Sequence, residues 1–187
     1  MKCCQCQQSG TTLIEVTAAM LILSVISLAL INLFSSASVF TALAARDMEA
    51  LNRAEQILEE IKAVPNSQRG WVIGSDERTV ILENRDGPDY SEGYMLALTD
   101  GRGAGQVRQI ISFDPVTSTV LVEPAWVTPP TADSSYLILH DKPYRDQLQI
   151  INNGDSYSNL QTITVTYFDQ VQGSPQELSL TTEKSWR

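Results

Sequence analysis

The sequence predicts an α+β protein in which a long N-terminal helix is followed by a head of antiparallel β-strands. Neither proline nor glycine occurs between Gly10 and Pro65, so nothing in the sequence interrupts a helix over residues 11–63. After Pro65, short runs rich in β-branched and aromatic residues alternate with turn sequences, a pattern typical of antiparallel strands. We therefore expect a helix at 11–63 and a β-rich globular head at 64–187.

The first half of the predicted helix is long and apolar enough to cross a membrane. Positions 13–34 hold 22 residues, and Glu15 is the only charged one among them. At about 1.5 Å per residue this helix spans roughly 33 Å, and the hydrocarbon core of a bilayer is about 30 Å thick. The sequence therefore predicts a transmembrane helix at 13–34. A carboxylate in such a span is either a functional group with a partner or a side chain that snorkels to water.

The second half of the predicted helix is amphipathic. Apolar residues recur at helical spacing, and polar residues occupy the other face. Glu49 and Arg53 stand four residues apart, which predicts an ion pair on the helix surface. Only about three heptads are present, so packing on a sheet of the head is favoured over a coiled coil. The predicted apolar face consists of Leu43, Met48, Leu51, Ala54, Leu58 and Ile61.

The head contains eight candidate strands, and the strongest β pattern lies at 94–140. The candidates are 71–73, 79–82, 94–98, 106–113, 119–123, 136–140, 160–169 and 177–183. Residues 103–110 and 122–126 resemble a small β-module of phage and bacterial surface proteins, which implies an exposed β-rich insertion at 94–140. Trp126, in this module, is interpreted either as a contact for a sugar or protein or as a packing residue, and packing is favoured.

The N-terminal residues carry a second resemblance. The stretch Gly10-Thr11-Thr12-Leu13-Ile14-Glu15, followed by the apolar run, resembles the processing signal of type IV pilins and pseudopilins. The resemblance implies a pilin fold and a leader at 1–10 that a prepilin peptidase removes by cutting after Gly10. It also implies N-methylation of Thr11, which stands where most members have Phe. Glu15 would then pair with the N-terminal amine of a neighbouring subunit and set the register between subunits.

Two stretches of the helix, 44–48 and 54–61, are similar to minor pilins and minor pseudopilins. This similarity implies a minor pilin, a structural subunit of a type IV pilus whose partners are other pilin subunits, the prepilin peptidase and the pilus assembly platform. Its expected location is the bacterial cytoplasmic membrane and then the extracellular filament. The alternatives are a type II secretion pseudopilin and a surface adhesin permanently anchored by residues 13–34.

Charge and cysteine content narrow the functional classes. The formal net charge is −9, and no basic patch indicates nucleic-acid binding. All three cysteines, Cys3, Cys4 and Cys6, lie in the predicted leader, so the processed chain would have no disulfide. We interpret them as thiols of an unstructured leader rather than as metal ligands.

No motif indicates an enzyme or a cofactor. His140 is the single histidine, and no G-x-S-x-G sequence occurs, so a hydrolase site has few candidate residues. The glycine-rich stretch 101–105 lacks the spacing and the lysine of a phosphate loop. Three loop acids could bind calcium through their carboxylate oxygens, but their spacing matches no EF-hand, and we favour the interpretation that they are solvated. These acids are Asp86, Asp89 and Glu92.

Overall fold

The computed structural model describes residues 12–83, 90–91, 93–154, 159–171 and 174–186, with only the backbone described at 170–171 and 174–176. The chain divides into two compact units between Asp47 and Met48. The predicted α+β class is confirmed, because an apolar N-terminal helix is combined with antiparallel sheets.

Helix α1 runs from Leu13 to Ala63 and crosses the boundary between the two units. Pro65 follows in an extended conformation with φ −76° and ψ 162°. Proline cannot continue the helical hydrogen bonding, so the chain turns away here and enters a short 3₁₀ helix, Asn66–Gln68. The predicted Glu49–Arg53 ion pair is present on the helix surface.

Six antiparallel strands of the head form a closed barrel. The barrel order is β1-β2-β5-β4-β3-β6, and the sheet closes where Arg69 of β1 pairs with Leu137 of β6. Among the described residues, thirteen buried apolar side chains fill its interior, including Leu96, Tyr136 and Ile138. The strands are β1 Arg69–Ser75, β2 Thr79–Leu82, β3 Tyr94–Asp100, β4 Val107–Asp114, β5 Thr119–Glu123 and β6 Ser135–His140.

The closed barrel differs from the expected head, which was a single antiparallel sheet with a β-rich insertion at 94–140. The barrel begins earlier, because β1 and β2 are part of it. The sheet closes into a barrel because β1 pairs with both β2 and β6, so the described strands of this sheet have no open edge.

Three further strands form a second antiparallel sheet in the order β7-β8-β9. They are β7 Leu148–Asn152, β8 Leu160–Val171 and β9 Ser174–Ser185, and a second 3₁₀ helix, Arg145–Gln147, precedes β7. Strand β7 was not among the candidate strands. It pairs with β8 over five positions, from Leu148 opposite Tyr167 to Asn152 opposite Ile163.

The end of α1 packs into a second hydrophobic core that both sheets share. Ile57 and Ile61 are fully buried there, together with Ile150 of β7 and Val165 of β8. Strand β3 is buried on both faces, because Leu96 points into the barrel and Met95 points into this second core.

The buried face of α1 differs in part from the predicted one. Met48 is 67% exposed and Leu51 is 37% exposed, although both were assigned to the apolar face. Ile57 is not part of the predicted face, yet it is fully buried. The packed stripe consists of Ala50, Ala54, Ile57, Leu58 and Ile61, which has the three-and-four spacing of a helix face.

Candidate functional site

The first unit presents an exposed apolar surface, which we call the apolar segment and define as residues 13–40. Every large aliphatic or aromatic side chain from Leu13 to Phe40 is between 41% and 85% exposed. Within the described residues, α1 is the one helix long and apolar enough to cross a membrane. The segment is therefore compatible with single-pass membrane anchoring. An apolar surface of this size needs cover from lipid or from other protein chains.

Four hydroxyl groups in and next to the apolar segment are satisfied by the helix itself. Each donates a hydrogen bond to a backbone carbonyl three or four residues earlier, at 2.8–3.0 Å, in Thr17, Ser24, Ser27 and Thr41. A satisfied hydroxyl does not require water, so it is tolerated in an apolar surrounding. These four hydroxyls therefore do not oppose an apolar surrounding of the helix.

Glu15 is the one charged residue in the apolar segment. It lies in the first turn of α1, and its backbone N–H donates to the carbonyl of Thr12 at 3.0 Å. In the described part of the chain, no side chain lies within hydrogen-bonding or ion-pairing distance of its carboxylate. The helix dipole favours a negative charge in this turn, but its effect at an exposed position is at most about 1 kcal/mol. An apolar cover over this segment would leave Glu15 in need of a positive partner.

Several residues singled out in the sequence lie outside the described residues. They are the processing residues Gly10 and Thr11, the cysteines Cys3, Cys4 and Cys6, and the acids Asp86, Asp89 and Glu92. Cleavage, methylation and calcium binding at these positions therefore stay predictions. Among the residues that are described, no group of three His, Cys, Asp or Glu side chains is arranged to hold a metal ion.

His140 takes part in a cluster of polar side chains that ties α1 to the barrel. Its Nδ1 atom lies 2.8 Å from the Glu60 carboxylate, which also accepts from Lys142 at 3.2 Å. The His140 ring stacks on Tyr94 with centroids 5.1 Å apart. Glu60 is the member that sequence reasoning missed, because it is far from β6 in the chain and nothing in the local sequence marks it.

Trp126 has the packing role that was favoured for it. The ring is 5% exposed and belongs to the barrel core, and the Arg108 guanidinium lies 5.5 Å from its centroid. Gly101 and Gly105 both adopt positive φ angles in the turn between β3 and β4, and a strand rather than a helix follows. This turn therefore lacks the helix N-terminus on which a phosphate loop depends.

A second feature of the head was not predicted from the sequence. A cleft of about 280 Å³ lies beside Arg69 and Tyr136 of the barrel and Trp186, which follows β9. These residues come from distant parts of the chain, and only the tertiary fold brings them together. No local sequence signal could have identified this cleft.

Comparison of the chain with protein-family models, curated proteins and solved structures finds no match.

Proposed function

We propose that this chain is a minor pilin, a low-abundance structural subunit of a type IV pilus. A prepilin peptidase would cut between Gly10 and Thr11, and Thr11 would be N-methylated. The apolar segment would hold the subunit in the cytoplasmic membrane until the assembly platform moves it into the filament. There the same segment would pack against the helices of other pilin subunits.

The observation that carries the proposal is the apolar segment with Glu15 as its one uncompensated charge. Fully burying one large aliphatic side chain is worth about 1.5–3 kcal/mol, so an exposed segment of this kind favours association with lipid or with similar helices. A buried carboxylate is tolerated when an ammonium group lies beside it. The new amine at Thr11 of a neighbouring subunit would supply that group and fix the axial position of each subunit.

The packing of α1 on a three-stranded sheet in the second unit supports the proposed pilin fold. The last turns of α1 pack on strands β7-β8-β9 through Ile57, Ile61, Ile163 and Val165. We infer that this three-stranded sheet is the pilin sheet. The barrel, Arg69–His140, would then be an insertion between the helix and the sheet, since it lies between them in the chain.

Replacement of the carboxylate tests the assembly role of Glu15. Glu15→Gln keeps the size of the side chain and removes its charge, and the matched control Glu55→Gln changes an exposed carboxylate further along the same helix. Both variants would be expressed with the complete pilus machinery, and the subunit would be quantified in the sheared filament fraction and in the membrane. We expect Glu15→Gln to be processed normally and to be depleted at least about tenfold from filaments, the effect of losing about 1.4 kcal/mol of pairing. Glu55→Gln should enter filaments as the wild type does.

Equal incorporation of the two variants would contradict an assembly role for Glu15. A subunit that stays in the membrane in wild-type form would instead favour the surface adhesin anchored by residues 13–34. Incorporation only into the short filaments of a type II secretion system would identify a pseudopilin.

A further inference from the structure

The cleft in the head has the composition of a ligand site. It lies where β1 and β6 of the barrel meet the second sheet, and both elements belong to the same compact unit. Six of the side chains that line it carry most of its chemistry: Asn66, Arg69, Trp71, Glu83, Gln161 and Trp186. Pockets that bind small molecules combine aromatic surfaces with a few fixed polar groups in this way.

Arg69 is the charged group that marks the kind of ligand. Its guanidinium stacks 4.4 Å from the centroid of the Trp186 ring. Within the part of the chain that the structure describes, no carboxylate lies within ion-pair distance of it. Burial lowers the pKa of Arg69. A partly buried guanidinium without a carboxylate is the planar donor that binds a carboxylate ligand through two parallel hydrogen bonds.

Neighbouring contacts hold the aromatic and acidic walls of the cleft in place. Trp186 donates from Nε1 to the Gln161 side-chain oxygen at 2.9 Å. The backbone N–H of Trp71 donates to the Glu83 carboxylate at 3.2 Å, and the Glu83 N–H donates to the Trp71 carbonyl at 3.0 Å. These bonds orient the Trp186 ring and the Glu83 carboxylate before any ligand arrives, which reduces the entropy lost on binding.

We propose that the cleft binds a small acidic sugar, whose carboxylate pairs with Arg69 and whose ring lies against Trp71. Glu83 accepts hydrogen bonds from sugar hydroxyls, and Asn66 and Gln161 line the same cleft. A neutral sugar lacks the group that Arg69 selects. A simple amino acid has the carboxylate but lacks the hydroxyls and the ring. This site does not depend on filament assembly, so it stands or falls separately from the pilin proposal.

The test uses the full chain in micelles of a detergent that has no sugar headgroup. Ligand-observed saturation-transfer NMR would measure binding of D-glucuronate, D-glucose and glycine. Glucuronate has about 13 non-hydrogen atoms, and at an ordinary binding free energy per atom it should bind the cleft with a Kd of about 1 mM. Glucose and glycine should each bind at least about tenfold more weakly, because each lacks one half of the proposed contacts.

Variants of Arg69 show whether the guanidinium is responsible. Arg69→Gln should weaken glucuronate binding at least about tenfold, while Arg78→Gln should leave it unchanged. Arg78 is an exposed arginine in the turn between β1 and β2, outside the cleft. Because both variants replace an arginine with glutamine, they change the net charge equally. Arg69→Lys keeps the charge but loses the two-pronged geometry, and binding should fall between wild type and Arg69→Gln.

Circular dichroism shows whether each variant remains folded, and if Arg69→Gln does not fold, Arg69→Lys alone decides the question. The proposal is overturned if glucuronate shows no saturable binding at about 20 mM, twenty times the expected Kd. Equal binding of glucose or glycine overturns the acidic-sugar specificity. Unchanged glucuronate binding in a folded Arg69 variant removes Arg69 from the site.

Discussion

Truncating Ile57 should destabilise the head more than any exposed change on the same helix. The side chain is fully buried in the core shared by α1 and both sheets. Ile57→Ala removes three carbon atoms, worth about 0.8 kcal/mol each, and the cavity left behind raises the loss to about 3.5 kcal/mol. The higher helix propensity of alanine recovers about 0.4 kcal/mol. We therefore expect the free energy of unfolding to fall by about 3 kcal/mol.

Thermal unfolding of the full chain in detergent measures this loss. All three tryptophans lie in the second unit, so intrinsic fluorescence reports on the head rather than on the apolar segment. For a unit of this size, 1 kcal/mol shifts the midpoint by about 3 °C, so Ile57→Ala should melt roughly 9 °C lower. The control Met48→Ala, at a position 67% exposed, should change stability by less than about 0.5 kcal/mol. If Ile57→Ala loses less than about 1 kcal/mol, or if Met48→Ala loses as much, the packing of α1 into the head is wrongly described.

Three further predictions concern the head. Glu60→Gln should lower the free energy of unfolding, measured by urea titration, by about 1–3 kcal/mol, because the Glu60 side chain is only 16% exposed and binds two partners. Glu59→Gln, at a side chain that is 72% exposed, should lower it by less than about 1 kcal/mol, and equal losses would contradict the cluster. Gly101→Ala should lower the urea midpoint of unfolding far more than Gly93→Ala. Both glycines have positive φ, but only a Cβ at position 101 would lie 2.2 Å from a backbone oxygen. A similar shift in the two variants would refute this close approach. Burial raises the pKa of Tyr90 to about 12, whereas the unfolded chain releases the same proton near pH 10, so the free energy of unfolding should fall as the pH rises between those values. Tyrosinate absorbance during a pH titration, with Tyr90→Phe as the reference, measures the pKa of Tyr90. Titration of Tyr90 near pH 10 in the folded protein would contradict the prediction.

The features that follow from local sequence were predicted, whereas those that depend on long-range pairing were not. The absence of proline and glycine between Gly10 and Pro65 predicts the long helix, and β-branched runs predict β2 and β5 at the positions where the structure has them. Glu15 was identified because a charge within an apolar run is costly, which is itself a local signal.

Closure of the barrel has no local signal. It depends on the pairing of β1 with β6, which are far apart in the chain. Strand β7, Leu148–Asn152, is only five residues long and follows a polar stretch, so its alternation is too short to be recognised. The placement of Arg69 beside Trp186 likewise results from the meeting of the barrel with the second sheet.

The mature N-terminus is the most direct test of the pilin proposal. Intact-mass and peptide mass spectrometry of the chain, purified with and without an active prepilin peptidase, would locate it. The proposal predicts a chain that begins at N-methylated Thr11 when the peptidase is present and at Met1 when it is absent. A chain that begins at Met1 in both cases would contradict processing and leave a permanently anchored protein. A start near Val39, directly after the small residues Ser36-Ala37-Ser38, would indicate export by an ordinary signal peptide.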